Sequence, residues 1–148
     1  MRLVTSGVPQ NVMESLVGSI TTENLPLAKR AGMIRLLVER SDFGMSEAEG
    51  FLAVISALDL SSLREVPQVG CLREVDHFNN GDVVVIEPQF GMVRSVYRPM
   101  EKHHSLFVTE RCNSNCLMCS QPPRDRDDTA ELTKRNLRII ELMTPPPT

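Results

Sequence analysis

Over its first hundred positions the chain carries apolar residues in short clusters separated by turn-forming residues, with few long helical stripes. Residues 16–20, Leu-Val-Gly-Ser-Ile, suit a short strand, and Thr21 or Thr22 can cap the next element. Residues 24–31 predict a helix, with Pro26 tolerated in its first turn and Gly32 placed to end it. Ile34, Leu36, Leu37 and Val38 then fit a buried strand or a continued helix, and Gly32 tips residues 33–39 towards a strand. Ser46 with Glu49 three positions on resembles a capping box, which predicts a helix to about Leu58 burying Phe51, Leu52, Val54, Ile55 and Leu58. Residues 79–82, Asn-Asn-Gly-Asp, are a strong turn signal. Residues 83–87 and 92–97 then read as two strands of a hairpin around a turn at 88–91.

The pattern changes after Pro99. Residues 99–104 read as a connector, and Leu106, Phe107, Val108 and Thr109 as a short buried strand. Asp127, Asp128 and Thr129 can cap a helix over residues 130–143, in which Leu132, Leu137, Ile139, Ile140 and Met143 form a broad apolar stripe. The prolines of residues 145–147 end it, and the alternating charges of residues 124–127 read as a solvated loop. The expected class is therefore α/β. Residues 1–100 form a mixed α/β (α+β) N-terminal domain ending in a hairpin. Residues 101–148 supply strand, loop and helix, one βα unit of an α/β barrel, a fold whose functional groups gather at the carboxyl ends of the strands.

Composition narrows the function. A length of 148 residues allows one domain, or a small domain plus a piece of another. The net charge of −3 argues against a broadly basic nucleic-acid surface, and five Phe, one Tyr and no Trp leave little for stacking bases. No apolar run approaches the roughly 18 residues that span a bilayer, and the first residues carry no sustained apolar core of a secretory signal. A cytoplasmic chain is expected, without membrane or nucleic-acid partners. In that compartment clustered thiols are metal ligands more often than disulfides.

Three of the four cysteines, Cys112, Cys116 and Cys119, fall in one short segment, and Cys71 stands alone. A 4Fe-4S cluster held by three thiolates keeps one iron open for another ligand. Spacings of C-x3-C-x2-C let a short loop wrap three corners of the cube, and Asn113, Ser114 and Asn115 suit tight turns. Zinc is the main competitor, and its fourth ligand would have to be Cys71, His103 or His104. A disulfide is disfavoured by compartment, and a buried cluster of thiols by the polarity of the intervening residues. Cys71 is expected to be a buried, inert thiol.

C-x3-C-x2-C between a short strand and a helix resembles the signature of the radical S-adenosylmethionine (SAM) superfamily. The flanks, residues 106–113 (Leu-Phe-Val-Thr-Glu-Arg-Cys-Asn) and 116–123 (Cys-Leu-Met-Cys-Ser-Gln-Pro-Pro), resemble the C member of the His-Xaa-Ser system radical SAM maturases. So do the hairpin with Gly81 and Asp82, the pair Tyr97-Arg98, and the histidine-containing connector. The likeness covers roughly residues 80–128. It implies a partial TIM barrel begun by residues 101–148, with Cys112, Cys116 and Cys119 as cluster ligands and SAM as second cofactor. Met118, where most of the superfamily has an aromatic residue, would lie on the adenine side of SAM. The resemblance implies a 5′-deoxyadenosyl radical acting on a ribosomally made His-Xaa-Ser-repeat peptide or protein. A second radical SAM maturase and an electron donor are the implied partners. Glu110 and Arg111 also match, and read as a salt-linked strand end without assigned chemistry.

Such enzymes continue into a second strand bearing a Gly-Gly-Glu motif. The sequence reaches Thr148 without one, so it is expected to be an N-terminal portion of a longer enzyme, inactive alone. Two other readings are a zinc-binding interaction module and a peptide-docking domain that captures a strand on an exposed edge of the hairpin.

Overall fold

The β-branched and aliphatic clusters of the first hundred residues pair into one eight-stranded sheet. Its strands are β1 (Val4–Ser6), β2 (Val8–Gln10), β3 (Leu16–Thr21), β4 (Met33–Leu37), β5 (Ala53–Ser56), β6 (Gln68–Gly70), β7 (Val83–Glu87) and β8 (Met92–Tyr97). A four-residue helix, α1 (Met45–Ala48), and a longer one, α2 (Thr129–Leu142), complete the regular elements. The computed structural model describes residues 3–39, 45–112, 114, 116–119 and 124–143. The molecule is thus of mixed α/β type and dominated by its sheet.

Strand order is β1-β8-β7-β3-β4-β5-β6-β2. Strands β3 to β6 are parallel neighbours, while β7, β8, β1 and β2 join antiparallel. The two ends of that order, β1 and β2, are consecutive in the chain and separated by Gly7 alone, so the sheet has to roll until its ends meet. Gly7 donates its N–H to the Gly91 carbonyl at 2.9 Å, and a Cβ placed on Gly7 would lie 2.3 Å from the Gly70 carbonyl oxygen. Only a residue without a side chain fits where the bent first strand passes between β6 and the hairpin turn.

The inside of this roll is apolar. Ile20, Ile34, Ile55, Val69, Ile86 and Val93, one from each of six strands, pack into a single cluster with Leu72 and Phe78. Alternation sends Leu37 and Val54 outward, where they pack with Ala48 of α1 and with Leu60 and Leu63 of the connection between β5 and β6. Between β7 and β8 the register shifts, with Val83 opposite Tyr97 but Val84 opposite Ser95. The extra residue, Val96, turns Tyr97 to the outer face beside Val83, and Ile139 of α2 packs there. The helix therefore rests on the outside of the roll.

Several expectations are met: a strand from Leu16, a strand from Met33, the hairpin and the C-terminal helix. Others are corrected. Residues 24–31 form only a 3-10 turn, Leu27–Lys29. The guanidinium of Arg30 takes up the carbonyls of Leu25 (2.7 Å) and Glu49 (2.6 Å) and the side chain of Asn24 (2.9 Å), and this holds the segment as a loop. The helix expected from Ser46 to Leu58 stops after Ala48; the Ser46 side chain lies outside the described residues. Gly50, at φ +83, ends it, and the following apolar run becomes β5, buried between β4 and β6. An apolar run this short is compatible with either element, and two waiting strand partners decide the matter.

Residues 106–109 form no strand. Phe107 and Val108 are exposed, and the bridge that follows among the described residues is a parallel one between Arg111 and Arg124. Both strands of the hairpin have a further partner among the described residues, β7 pairing with β3 and β8 with β1 at Met92, Val93 and Arg94. Residues 144–148, expected to end the helix, lie outside the described residues. No helix is long and apolar enough to cross a membrane among the described residues.

Candidate functional site

The three clustered cysteines sit on the loop between residues 106–111 and α2, and all three thiols are free and exposed. Cys116 to Cys119 form a tight turn closed by the Cys119 N–H donating to the Cys116 carbonyl at 3.1 Å, with Leu117 and Met118 at its tip. The Ser114 N–H lies 3.5 Å from the Cys112 sulfur, which in turn is 3.6 Å from the Ser114 carbonyl. Asn113 and Asn115 lie outside the described residues. Met118, 98% exposed, makes no core contact, so its apolar surface faces outward with the cysteines.

A polar collar surrounds the neck of the loop. Asp128 occupies the N-cap position of α2, and its backbone carbonyl takes the first helical bond from the Leu132 N–H at 3.0 Å. Its carboxylate caps nothing in the helix. It crosses instead to the incoming segment, accepting the Thr109 hydroxyl at 2.8 Å and the Glu110 N–H at 3.1 and 3.2 Å. The Thr109 hydroxyl oxygen in turn accepts the Arg111 N–H at 3.0 Å. Glu110 pairs with Arg124 at 2.7 Å, and Arg111 lies 3.8 and 3.9 Å from the carboxylates of Asp125 and Asp127. Deeper along the helix, Asn136 donates to the Phe107 carbonyl at 2.7 Å. The Thr109 hydrogen bond, then the Glu110 amide, holds the Asp128 carboxyl below its usual range, and bonds from Thr129 do the same for Asp127.

Beside the collar a cleft of about 1280 Å³ opens between α2, the outer face of β8 and the hairpin turn. Arg94, Tyr97, His104, Glu110 and Arg135 are among its lining residues, and the cysteines are not. Much of its charge is neutralised in pairs: Arg94 with Glu87 at 3.1 Å, and buried Arg98 with Asp82 at 3.5 Å. Arg98 also donates to the His77 carbonyl at 2.7 Å and to Glu101 at 3.1 Å, tying the connector after β8 to the turn before β7. His104 packs against Tyr97 with ring centroids 4.5 Å apart and the ring planes tilted by 45°. Thus Tyr97 and Arg98, part of the sequence pattern, anchor the segment that leads to the cysteines.

Among the described residues no three His, Cys, Asp or Glu side chains converge closely enough to hold a metal ion. The donor set nevertheless fits an iron–sulfur cluster in kind: three free thiols, accessible, on one loop with its ends clamped. Cys71 departs from expectation. It is exposed rather than buried, with left-handed backbone (φ 53) at the end of β6. Sequence reasoning found the cysteines and missed the collar. Residues 127–129 read as a capping signal, and nothing local says that the Asp128 carboxylate is spent on Thr109 and Glu110.

Comparison of the chain with protein-family models, with curated proteins and with solved structures gave no match.

Proposed function

We propose that this chain carries the cluster-binding segment of a radical SAM enzyme that modifies a ribosomally made peptide or protein of His-Xaa-Ser-repeat type. Cys112, Cys116 and Cys119 are the iron ligands, and residues 101–148 would begin its partial TIM barrel, with residues 106–109, which form no strand here, at the place of the first strand. The observation that supports this most is the three-thiol loop itself: free, exposed cysteines at C-x3-C-x2-C spacing, ahead of a helix whose N-cap residue is tied to the segment before them. When bound, the cluster supplies the electron that cleaves SAM reductively. The chain's own part would be to offer the thiolates of Cys112, Cys116 and Cys119 from one loop, and Met118, exposed beside them, would give SAM an apolar contact on its adenine side. A partner maturase and an external electron donor complete the proposed system.

Anaerobic reconstitution with iron and sulfide tests the reading. About four irons and four sulfides per chain are expected for a cluster of this class. Cys116→Ala should lose the cluster, and SAM should change the electron paramagnetic resonance spectrum of the intact one. One equivalent of zinc with no cluster obtainable would overturn the proposal in favour of a zinc module.

A further inference from the structure

Six arginines line the cleft between α2 and the outer face of β8. Five of them have an acid of this chain: Arg94 pairs with Glu87, Arg98 with Asp82, Arg124 with Glu110, Arg126 with Glu131 and Arg138 with Glu141. Arg135 pairs with none among the described residues. Helix geometry puts it in the cleft. It follows Leu132 by three positions and precedes Ile139 by four, so it leaves α2 on the side of the two residues that the helix buries against the sheet. Glu131, one turn earlier, is the acid that helical spacing offers it, but that carboxylate is taken by Arg126 at 3.1 Å. The Arg135 Nε is closed off from solvent without a hydrogen-bond partner, as is the Nε of Arg94. A guanidinium partly withdrawn from water with no acid on it is unfavourable, and a carboxylate arriving from outside relieves this through its two oxygens.

We propose that this cleft docks an extended acidic peptide segment, with Arg135 as the residue that binds its carboxylate. The dimensions select a peptide over a small acid. The volume of about 1280 Å³ exceeds the roughly 300–1,000 Å³ of most small-ligand sites. The helix lines the cleft from Asp128 to Ile139, about 16 Å at 1.5 Å per residue, which accommodates about five residues of extended chain. Tyr97, Leu106 and Ile139 pack together and give the cleft an apolar stretch, so apolar residues flanking the acid have surface to cover. The site needs neither the cysteines nor a metal, and it stands or falls apart from the radical SAM reading.

The full-length protein, labelled with nitrogen-15 and free of metal, is titrated with a blocked five-residue peptide that carries a central Asp between apolar residues. Amide shifts in α2 and β8 report the Kd. The Asp peptide should bind saturably, and its Asn counterpart about tenfold or more weaker, as loss of a hydrogen bond to a charged group implies. Arg135→Gln should bring the Asp peptide to the level of the Asn peptide while leaving the amide spectrum of the rolled sheet unchanged. Arg135→Lys keeps the charge without the two-pronged geometry, so it should recover part of the affinity; it also serves if Arg135→Gln fails to fold. Glu131→Gln should leave the Kd within about twofold, because Glu131 is engaged by Arg126. Equal binding of the Asp and Asn peptides, or a parental Kd in both Arg135 variants, would overturn the proposal. A tenfold gain in Glu131→Gln would do so too, by showing that Arg135 already has its acid. Succinate binding as tightly as the Asp peptide would assign the cleft to a small acid and overturn the peptide. Failure to obtain an iron–sulfur cluster alters none of these outcomes.

Discussion

At the scale of the residue, the buried polar contacts before β7 link stability to acid. His77 has its pKa pushed below the ordinary value, first by desolvation and then by the neighbouring Arg98 guanidinium. In the folded protein the neutral imidazole is favoured. The unfolded chain therefore takes up a proton first as pH falls below about 6.5, and the histidine's contribution declines from there to its folded-state value. Asp82, beside it, is pushed up chiefly by burial, so its folded-state penalty is present at neutral pH and relieved in acid. The two groups act in opposite directions. Urea unfolding at pH 7.5 and pH 5.5 should show lower stability at the acid value in the parent. The difference should shrink in His77→Gln, which cannot titrate. An unchanged difference in that variant would place the acid sensitivity elsewhere.

Among the elements, β5 and α2 show how the same apolar composition is read in two ways. Ala53, Val54 and Ile55 are all wholly buried, because the strand has a neighbour on each edge and apolar clusters on both faces. A strand covered on both faces reads as a continuous apolar run, the pattern that also suits a buried helix segment. In α2 the stripe is divided: Leu132 and Ile139 are buried, whereas Leu137 and Ile140 are more than half exposed. Ile139 meets Val83 and Tyr97 because the irregular step at Val96 turns Tyr97 outward. Ile55→Ala should accordingly cost about 2–5 kcal/mol in denaturant unfolding, and Ile140→Ala within about 0.5 kcal/mol of nothing. A large loss at Ile140 would mean that its face of the helix is covered in solution.

The whole molecule depends on closing its sheet. Strands β1 and β2 occupy the two free ends of the roll, and both are short, so the closure rests on a few backbone bonds and on the passage at Gly7. A side chain there meets the Gly70 carbonyl and the Leu72 side chain, at 2.3 and 3.0 Å from a Cβ. Gly7→Val should open the seam, expose the edges of β8 and β6, and lower stability by about 1–3 kcal/mol or more. Size-exclusion chromatography should show self-association, since unpaired edges recruit other strands. A monomeric variant of parental stability would show that the seam is dispensable. With β7 and β8 both paired in the sheet, the loop and the cleft on the helix side are the exposed chemistry.

Local patterns in the sequence determined the hairpin around residues 88–91, the strands from Leu16 and Met33, the helix ending at Leu142, and the grouping of three cysteines in one loop. Each depends on residues within a few positions of one another: turn formers, a periodic stripe, a ligand spacing. Tertiary structure alone decided that residues 53–56 are a strand and that residues 106–109 are not. It also decided that β1 and β2 seal opposite ends of one sheet, and that Asp128 serves Thr109 and Glu110 instead of its own helix. The physical reason is common to all four. Strand pairing, sheet closure and side-chain hydrogen bonds across a loop are satisfied by partners distant in sequence, and a local pattern constrains what a segment can accept without naming what it will meet.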